Sequence, residues 1–243
     1  YWFMLSVATL VSLLKARRAI AVSNYAAGVL TFGMHKLRNH KVSVVYHGTA
    51  PVAVPRKHND VQGINLLAVS DIYIQKNYHT LLRALAILSK SRSDLTLTIV
   101  GQEIDSYYAK TLQKLLAELG LEDSVKFLGH VGTEELDHLY RECQLFVFPS
   151  TVETFGNPLL EAMARGVPIA SSNAAAMPEV IGDAGLTFDP ENAREIASRI
   201  ATLLVDPKMR VKLGEKAAKR AQSFTWEETA RRTLVVLRAA AGR

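Results

Sequence analysis

The stretch ETFGNPLLEAMARGVPIA, Glu153–Ala170, sets two glutamates on either side of a Gly-Asn-Pro sequence. Gly156 lets backbone approach a ligand closely. Asn157 reads as a helix cap and Pro158 as the start of the first turn, with Gly166 closing the helix. Glu153 therefore falls in the entering loop and Glu161 one turn into the helix. A helix start presents free N–H groups and a positive dipole end, a ready site for phosphate. A carboxylate beside it suits a neutral polyol such as ribose, because it would repel the phosphate itself. The competing reading is that Glu161 only complements the helix end and Glu153 is solvated.

This loop, helix and strand belong to a longer alternation. Apolar runs at INLLAVS (64–70), LTLTIVG (95–101), VKFLG (125–129), QLFVFPS (144–150), VPIAS (167–171) and LTF (186–188) read as strands. Between them lie helical patterns at 79–90, 106–119 (capped by Asp105, stopped by Gly120), a segment capped by Thr133, and 177–185. Helices near 192–205, 207–222 and 226–241 follow, the last with Thr225 and Glu228 in capping-box spacing. Near-continuous apolar strands alternating with helices predict an α/β fold with a doubly wound parallel sheet. Ligands on such sheets sit at the strands' carboxyl ends. That directs attention to residues 70–78, 101–105, 129–133, 149–158 and 171–178.

Ahead of this block, AIAVS (19–23) and KVSVVYH (41–47) read as strands around one helical segment, 24–37. Residues 1–48 form a first unit, 49–62 a Pro-containing linker, 63–224 the main domain and 225–243 a closing helix. The opening YWFMLSVATLVSLL is too short to span a bilayer and reads as a helix whose apolar face needs a partner: another part of a larger protein, another subunit or a membrane surface, with a lean towards self-association. The chain opens at Tyr1 rather than Met, the expectation for a fragment or processed form.

The 243 residues carry a net charge of +6. Residues 1–62 hold eight Lys/Arg against one Asp, and the remainder 21 against 22 Asp/Glu, so the basic character belongs to the first quarter. It reads either as a solvated face or as a peripheral contact with an anionic membrane. No aromatic-interleaved platform supports a nucleic-acid partner. One cysteine, Cys143, points to a reducing, cytoplasmic setting. The chain contains no CxxC, HExxH or Asp-x-Asp, so no metal is expected, and no GxGxxG, so NAD and FAD have no direct support. Lys76, at the end of a strand, is placed to neutralise a leaving diphosphate, or is an ordinary surface lysine.

Together these stretches resemble the donor-binding half of retaining GT-B glycosyltransferases of the large family 4 group. The hallmark is Glu, seven residues, Glu, here Glu153 to Glu161. VSNY (22–25), VVYHG (44–48), QKNYHTLLRAL (75–85), LTIVG (97–101), VKFLGHV (125–131), LFVFPS (145–150), MPEVIGDAGLTFDP (177–190) and SFTWEETARRTL (223–234) match in order.

The resemblance implies that Glu153 faces the donor sugar and Glu161 the ribose. It also implies that the backbone N–H groups of Phe155, Gly156 and Asn157 hold sugar hydroxyls or diphosphate, with Pro158 part of the same donor site. Lys76 would assist diphosphate departure, Gly101 would border the donor, and His130 and Val131 would meet the base. It implies no cofactor beyond a UDP- or GDP-linked sugar, and a glycan or lipid-linked acceptor. The alternative is a nucleotide-sugar-binding half that is inactive alone; an epimerase or phosphorylase of the same fold fits the motifs less well. Two departures stand out. Ser70 and Asp71 occupy the place of the family's Gly-Arg pair. Only the last part of an N-terminal acceptor domain is present, where His47 does not match that domain's histidine.

Overall fold

A computed structural model describes residues 2–50, 52 and 63–242. The first unit comprises α1 (Trp2–Lys15), β1 (Ala19–Ala21), α2 (Asn24–Leu30), α3 (His35–Lys41) and β2 (Val42–Val44), with β1 and β2 paired in parallel. The single helix expected over 24–37 is two helices. Phe32 and Gly33 take positive φ values of 51° and 71° and end α2, and α3 runs to Lys41, so β2 starts one residue later than expected. Lys41 Nζ donates to the carbonyls of Leu13, Leu14 and Ala16, capping the C-terminus of α1, and Arg18 donates to His40 O. These basic side chains are thus engaged with backbone. Of the expected linker, Thr49, Ala50 and Val52 are described, and Pro51 and residues 53–62 lie outside the described residues.

The main unit is a six-stranded parallel sheet in the order β5-β4-β3-β6-β7-β8. Its strands are β3 (Ile64–Val69), β4 (Leu95–Val100), β5 (Val125–Gly129), β6 (Leu145–Phe148), β7 (Ile169–Ser172) and β8 (Leu186–Phe188). Side chains alternate across the sheet. Leu66 and Ala68 enter one core layer with α4 (Tyr78–Ser89), α5 (Ser106–Leu119) and α9 (Ala193–Val205). Leu67 and Val69 enter the other, with α6 (Thr133–Glu142), α7 (Asn157–Ala164), α8 (Met177–Ile181) and α10 (Pro207–Ala221). Burial on both faces is why the central strands β3, β4 and β6 are largely apolar, while the edge strand β5 exposes Lys126.

The closing helix α11 (Trp226–Ala241) returns to the first unit, where Thr229 donates to Tyr46 O and Arg17 to Ala240 O. Thr225 Oγ1 accepts from Glu228 N, half of the expected capping box; the Glu228 carboxylate is taken by Arg231 and Arg232. No described helix is long and apolar enough to cross a membrane.

Strand order reverses between β3 and β6, so the loops leaving these two neighbours diverge and open a crevice between them. The loop after β3 is residues 70–77, and that after β6 is 149–156.

Candidate functional site

The two loops are laced together. Thr151 donates through both N–H and Oγ1 to Gln75 O. Asn77, 2% exposed, holds a left-handed φ of 59°, which Asn tolerates better than most residues. Its Nδ2 donates to Pro149 O and Pro190 O, and its Oδ1 accepts from Thr80. One buried amide thus ties together the loops that follow β3, β6 and β8.

On this frame Lys76 ends a 3-10 turn, Ile74–Lys76, and its Nζ lies 2.5 Å from Glu153 Oε1. The side chains are only 10% and 16% exposed. Burial disfavours the ammonium, but the Glu153 carboxylate and the nearby Tyr73 outweigh it and hold the Lys76 pKa above its ordinary value. The lysine is therefore a firmly charged cation at neutral pH. Glu153's backbone is fixed as well: its carbonyl accepts from Ala176 N, and the next carbonyl, Thr154 O, accepts from Ser23 Oγ at 2.6 Å.

Helix α7 begins one residue away from the expected cap. Gly156, at φ 92°, is the N-cap, and Asn157 is the first helical residue. The Asn157 side chain does not cap; its Oδ1 pairs with His47 Nδ1 at 2.8 Å. Thr133 likewise is the first residue of α6, behind Gly132 as N-cap without a side-chain bond. Phe155 is buried in the core beneath this turn and packs on Tyr46, His47 and Phe224. Its side chain is structural, leaving its backbone as the part that can face a ligand. Pro158 has no N–H, and its carbonyl accepts from Tyr140 OH.

Glu161 lies on the same helix face as Asn157 and Arg165, turned towards α6. Tyr140 OH donates to its carboxylate at 3.1 Å. Burial raises the Glu161 pKa above its ordinary value, and Tyr140 and Arg165 offset this only in part. Asp137 bridges Arg141 (2.6 Å) and Arg165 (2.8 Å), forming one wall. Burial pushes the Asp137 pKa up, but the two guanidinium groups prevail and lower it. The groove beside Glu161, about 610 Å³, is also lined by Gly48, Thr133, Asn157 and Trp226. That is the size range of small-molecule sites, about 300–1,000 Å³. His130, exposed, and Val131, half-buried, precede Thr133 in the loop leaving β5.

Gly101 has a backbone explanation: a Cβ there would lie 2.0 Å from Ser70 O. Asp71, in the place of the family's arginine, accepts from Gln102 N at 2.9 Å and so joins the ends of β3 and β4. Sequence reasoning placed Asn77 with Lys76 on the ligand-facing edge but missed Tyr140, Arg165 and His47 as parts of this region. Their roles arise from partners distant in sequence.

The model of the family described as glycosyl transferases group 1 matches residues 55–220. The chain belongs to this family. As a group 1 glycosyltransferase chain it is 35% identical over 161 residues to O-antigen chain mannosyltransferase B of Escherichia coli, covering 66% of this chain and 42% of that protein. It is 36% identical over 183 residues to a D-inositol 3-phosphate glycosyltransferase of Pseudarthrobacter chlorophenolicus, covering 74% and 43%. The chain thus spans less than half the length of these curated relatives. Among solved structures, Anabaena HepE in complex with UDP and glucose superposes with a TM-score of 0.84 at 24% identity, covering 96% of this chain and 66% of that one. Sucrose-phosphate synthase from Thermosynechococcus elongatus gives 0.80 at 24%, covering 97% and 62%. These likenesses establish the glycosyltransferase fold.

Proposed function

We propose that this group 1 glycosyltransferase chain binds a UDP- or GDP-linked hexose and transfers the sugar, with retention of configuration and without a metal, to a glycan or lipid-linked acceptor. The observation that carries the reading is the Lys76–Glu153 pair at the sheet's switch point, with the start of α7 following Glu153 and Glu161 one turn further on. In this reading Glu161 accepts the ribose hydroxyls, and the backbone of Phe155 to Asn157 meets diphosphate or sugar hydroxyls. Pro158 fixes the turn, and the loop at His130 and Val131 borders the base.

Glu153 faces the sugar and Lys76 the diphosphate. The bond from the anomeric carbon to the diphosphate oxygen breaks as the acceptor oxygen bonds on the same face. The acceptor proton passes to the departing diphosphate. Lys76 and the helix dipole stabilise the charge that develops there. HepE's complex with UDP and glucose, and the mannosyl transfer named for the Escherichia coli relative, support a nucleotide-linked hexose as donor.

A second reading is a donor-binding half that needs another chain for its acceptor site. It is favoured by the exposure of Val7, Val11 and Leu14 on α1. Calorimetric titration with UDP, GDP and ADP, beside Glu161→Ala, tests the common core of both. One nucleotide should bind saturably and lose that binding in the variant. Absence of binding by all three overturns the donor site in this chain. Binding without transfer in the presence of sugar donor and acceptor selects the second reading.

A further inference from the structure

The outer side of the 70–77 loop carries a second groove that the donor chemistry does not use. It runs between the starts of α4 and α5, has a volume of about 540 Å³, and is lined by Ile74, His79, Arg83, Tyr107, Lys114 and Glu118, among others. A further hollow of about 510 Å³ shares Ile74, His79 and Arg83 and continues past Gln75 to Thr151 and Glu191. Sharing these three wall residues, the two adjoin as one trough. Its near end is built on Gln75 and Thr151, residues hydrogen-bonded to each other, one beside Lys76 and the other two before Glu153.

Tyr107 is 83% exposed, an unusual position for a large ring. Its seat is firm: Asp105 Oδ1 accepts its N–H, and Thr111 donates to its carbonyl. Beneath it Tyr108 is buried, its hydroxyl held by His79 N and facing His79 Nδ1 at 3.0 Å. Burial, then Arg83, lowers the His79 pKa, so that ring adds no charge at neutral pH. The rim of the larger groove carries two cations, Arg83 and Lys114, and two carboxylates, Asp105 and Glu118. With Glu191 in the adjoining hollow, the trough has no cationic excess and offers donors and acceptors side by side.

That combination selects a ligand class. A phosphate or polyanion needs a cationic excess, and a lipid chain needs an unbroken apolar wall. A neutral sugar presents an apolar C–H face to an aromatic ring, and hydroxyls that both donate and accept to mixed charged side chains. We propose that this trough, with Tyr107 as its platform, is a subsite for a neutral glycan chain. The glycan would be the part of the acceptor that leads away from the reacting centre. The acceptor assignment rests on the transferase reading above; the glycan-binding assignment does not.

The test is titration of the isotopically labelled chain with mannotetraose and maltotetraose, followed by NMR. A heparin tetrasaccharide and phosphatidylglycerol vesicles serve as the anionic and lipid arms. Tyr107→Ala, Tyr107→Phe and Arg83→Ala are compared with the parent chain, and UDP and GDP titrations are run in parallel. The expected result is saturable binding of a neutral tetrasaccharide, weakened at least about fivefold by Tyr107→Ala and kept by Tyr107→Phe. Nucleotide affinity should be unchanged throughout. Failure of both neutral tetrasaccharides, indifference to Tyr107→Ala, or preference for the heparin or vesicle arm overturns the proposal. Nucleotide binding without glycan binding sinks the trough and spares the donor site; glycan binding without nucleotide binding does the reverse.

Discussion

The carboxylate of Glu179 receives both the backbone N–H and the side-chain amide of Asn24, each at 2.7 Å, from a residue 155 positions earlier. Tyr25 N and Tyr46 OH donate to the same carboxylate at 3.1 and 2.8 Å. A side chain of α8 in the main unit thereby neutralises the positive end of α2 in the first. Arg220 anchors the clasp from behind by donating to the carbonyls of Glu179 and Val180.

Burial pushes the Glu179 pKa up, but the bonds from Asn24, Tyr46 and Tyr25 outweigh it, so the folded value is depressed. A depressed carboxylate pKa stabilises the fold above the unfolded value, and that contribution is lost as pH falls through the folded one. Glu179→Ala should cost about 1–2 kcal/mol at pH 7, the worth of charge-assisted hydrogen bonds reduced by the site's partial exposure. Urea unfolding at several pH values checks this: the gap between parent and variant should shrink towards pH 3. A gap that stays constant would show that the charge of Glu179 is not what holds the units together.

Lys76 and Glu153 give a kinetic prediction. Lys76→Ala should lower turnover about 10²–10³-fold, the usual effect of removing one preorganised group that stabilises developing charge. Nucleotide affinity should change about threefold or less, because the interaction is realised mainly as the diphosphate departs. Equal losses in turnover and affinity would reassign Lys76 to ground-state binding. Glu153→Ala leaves the ammonium without its carboxylate in a site where the lysine side chain is only 10% exposed. It should destabilise by about 2–4 kcal/mol, read from the shift in the denaturation midpoint.

The sheet was legible because its central strands are largely apolar and separated by turn residues. INLLAV, LTLTIV and LFVF leave little choice but burial on both faces, and Asp105 and Gly120 bracket α5 where the residue types predict. The break between α2 and α3 was not legible. Phe32 at φ 51° is a conformation that its residue type opposes, and it occurs where the backbone N–H groups of Phe32 and Gly33 close the end of α2 on Val29 O and Gly28 O. The cap shifts have another cause. Gly132 and Gly156 occupy the N-cap positions, displacing Thr133 and Asn157, which the pattern favoured because their side chains can cap. The candidate site was half legible: Glu153, Glu161 and Lys76 stand out as residue types near loop ends. Their pairing with Tyr140 and with one another, and the tie that Asn77 makes between the loops, are set by the crossing of loops at the switch point, which periodicity does not report.

Glu161 gives a prediction in which stability and function part. Its folded pKa is raised, chiefly by burial, so its ionised form is disfavoured by the fold and the cost appears as pH rises through the raised value. Glu161→Gln removes that cost and keeps an acceptor for Tyr140. The variant should melt about 1–2 °C higher at pH 7. It should also bind UDP or GDP at least about tenfold more weakly, having lost a charged acceptor. Thermal melts with and without nucleotide separate the two effects. A variant that melts lower and binds normally would make Glu161 a structural residue.

Gly101 tests whether a motif glycine serves the ligand or the backbone. Its φ is 151°, and a Cβ would meet Ser70 O at 2.0 Å and Ser70 C at 2.3 Å, both rigid backbone. Gly101 N also donates to Gly129 O, so this N–H is already satisfied within the sheet. The glycine therefore keeps β4 pressed against the end of β3 and sets the height of the 70–77 loop that carries Lys76. Gly101→Ala should destabilise by roughly 2–4 kcal/mol through forced separation of the two strand ends. Nucleotide affinity, measured at low temperature where the variant stays folded, should be nearly unchanged, because the Gly101 N–H is already spent on Gly129 O and Glu161 stands on α7. Turnover should fall with the displacement of Lys76. A variant of parental stability that fails to bind nucleotide would instead place Gly101 against the donor.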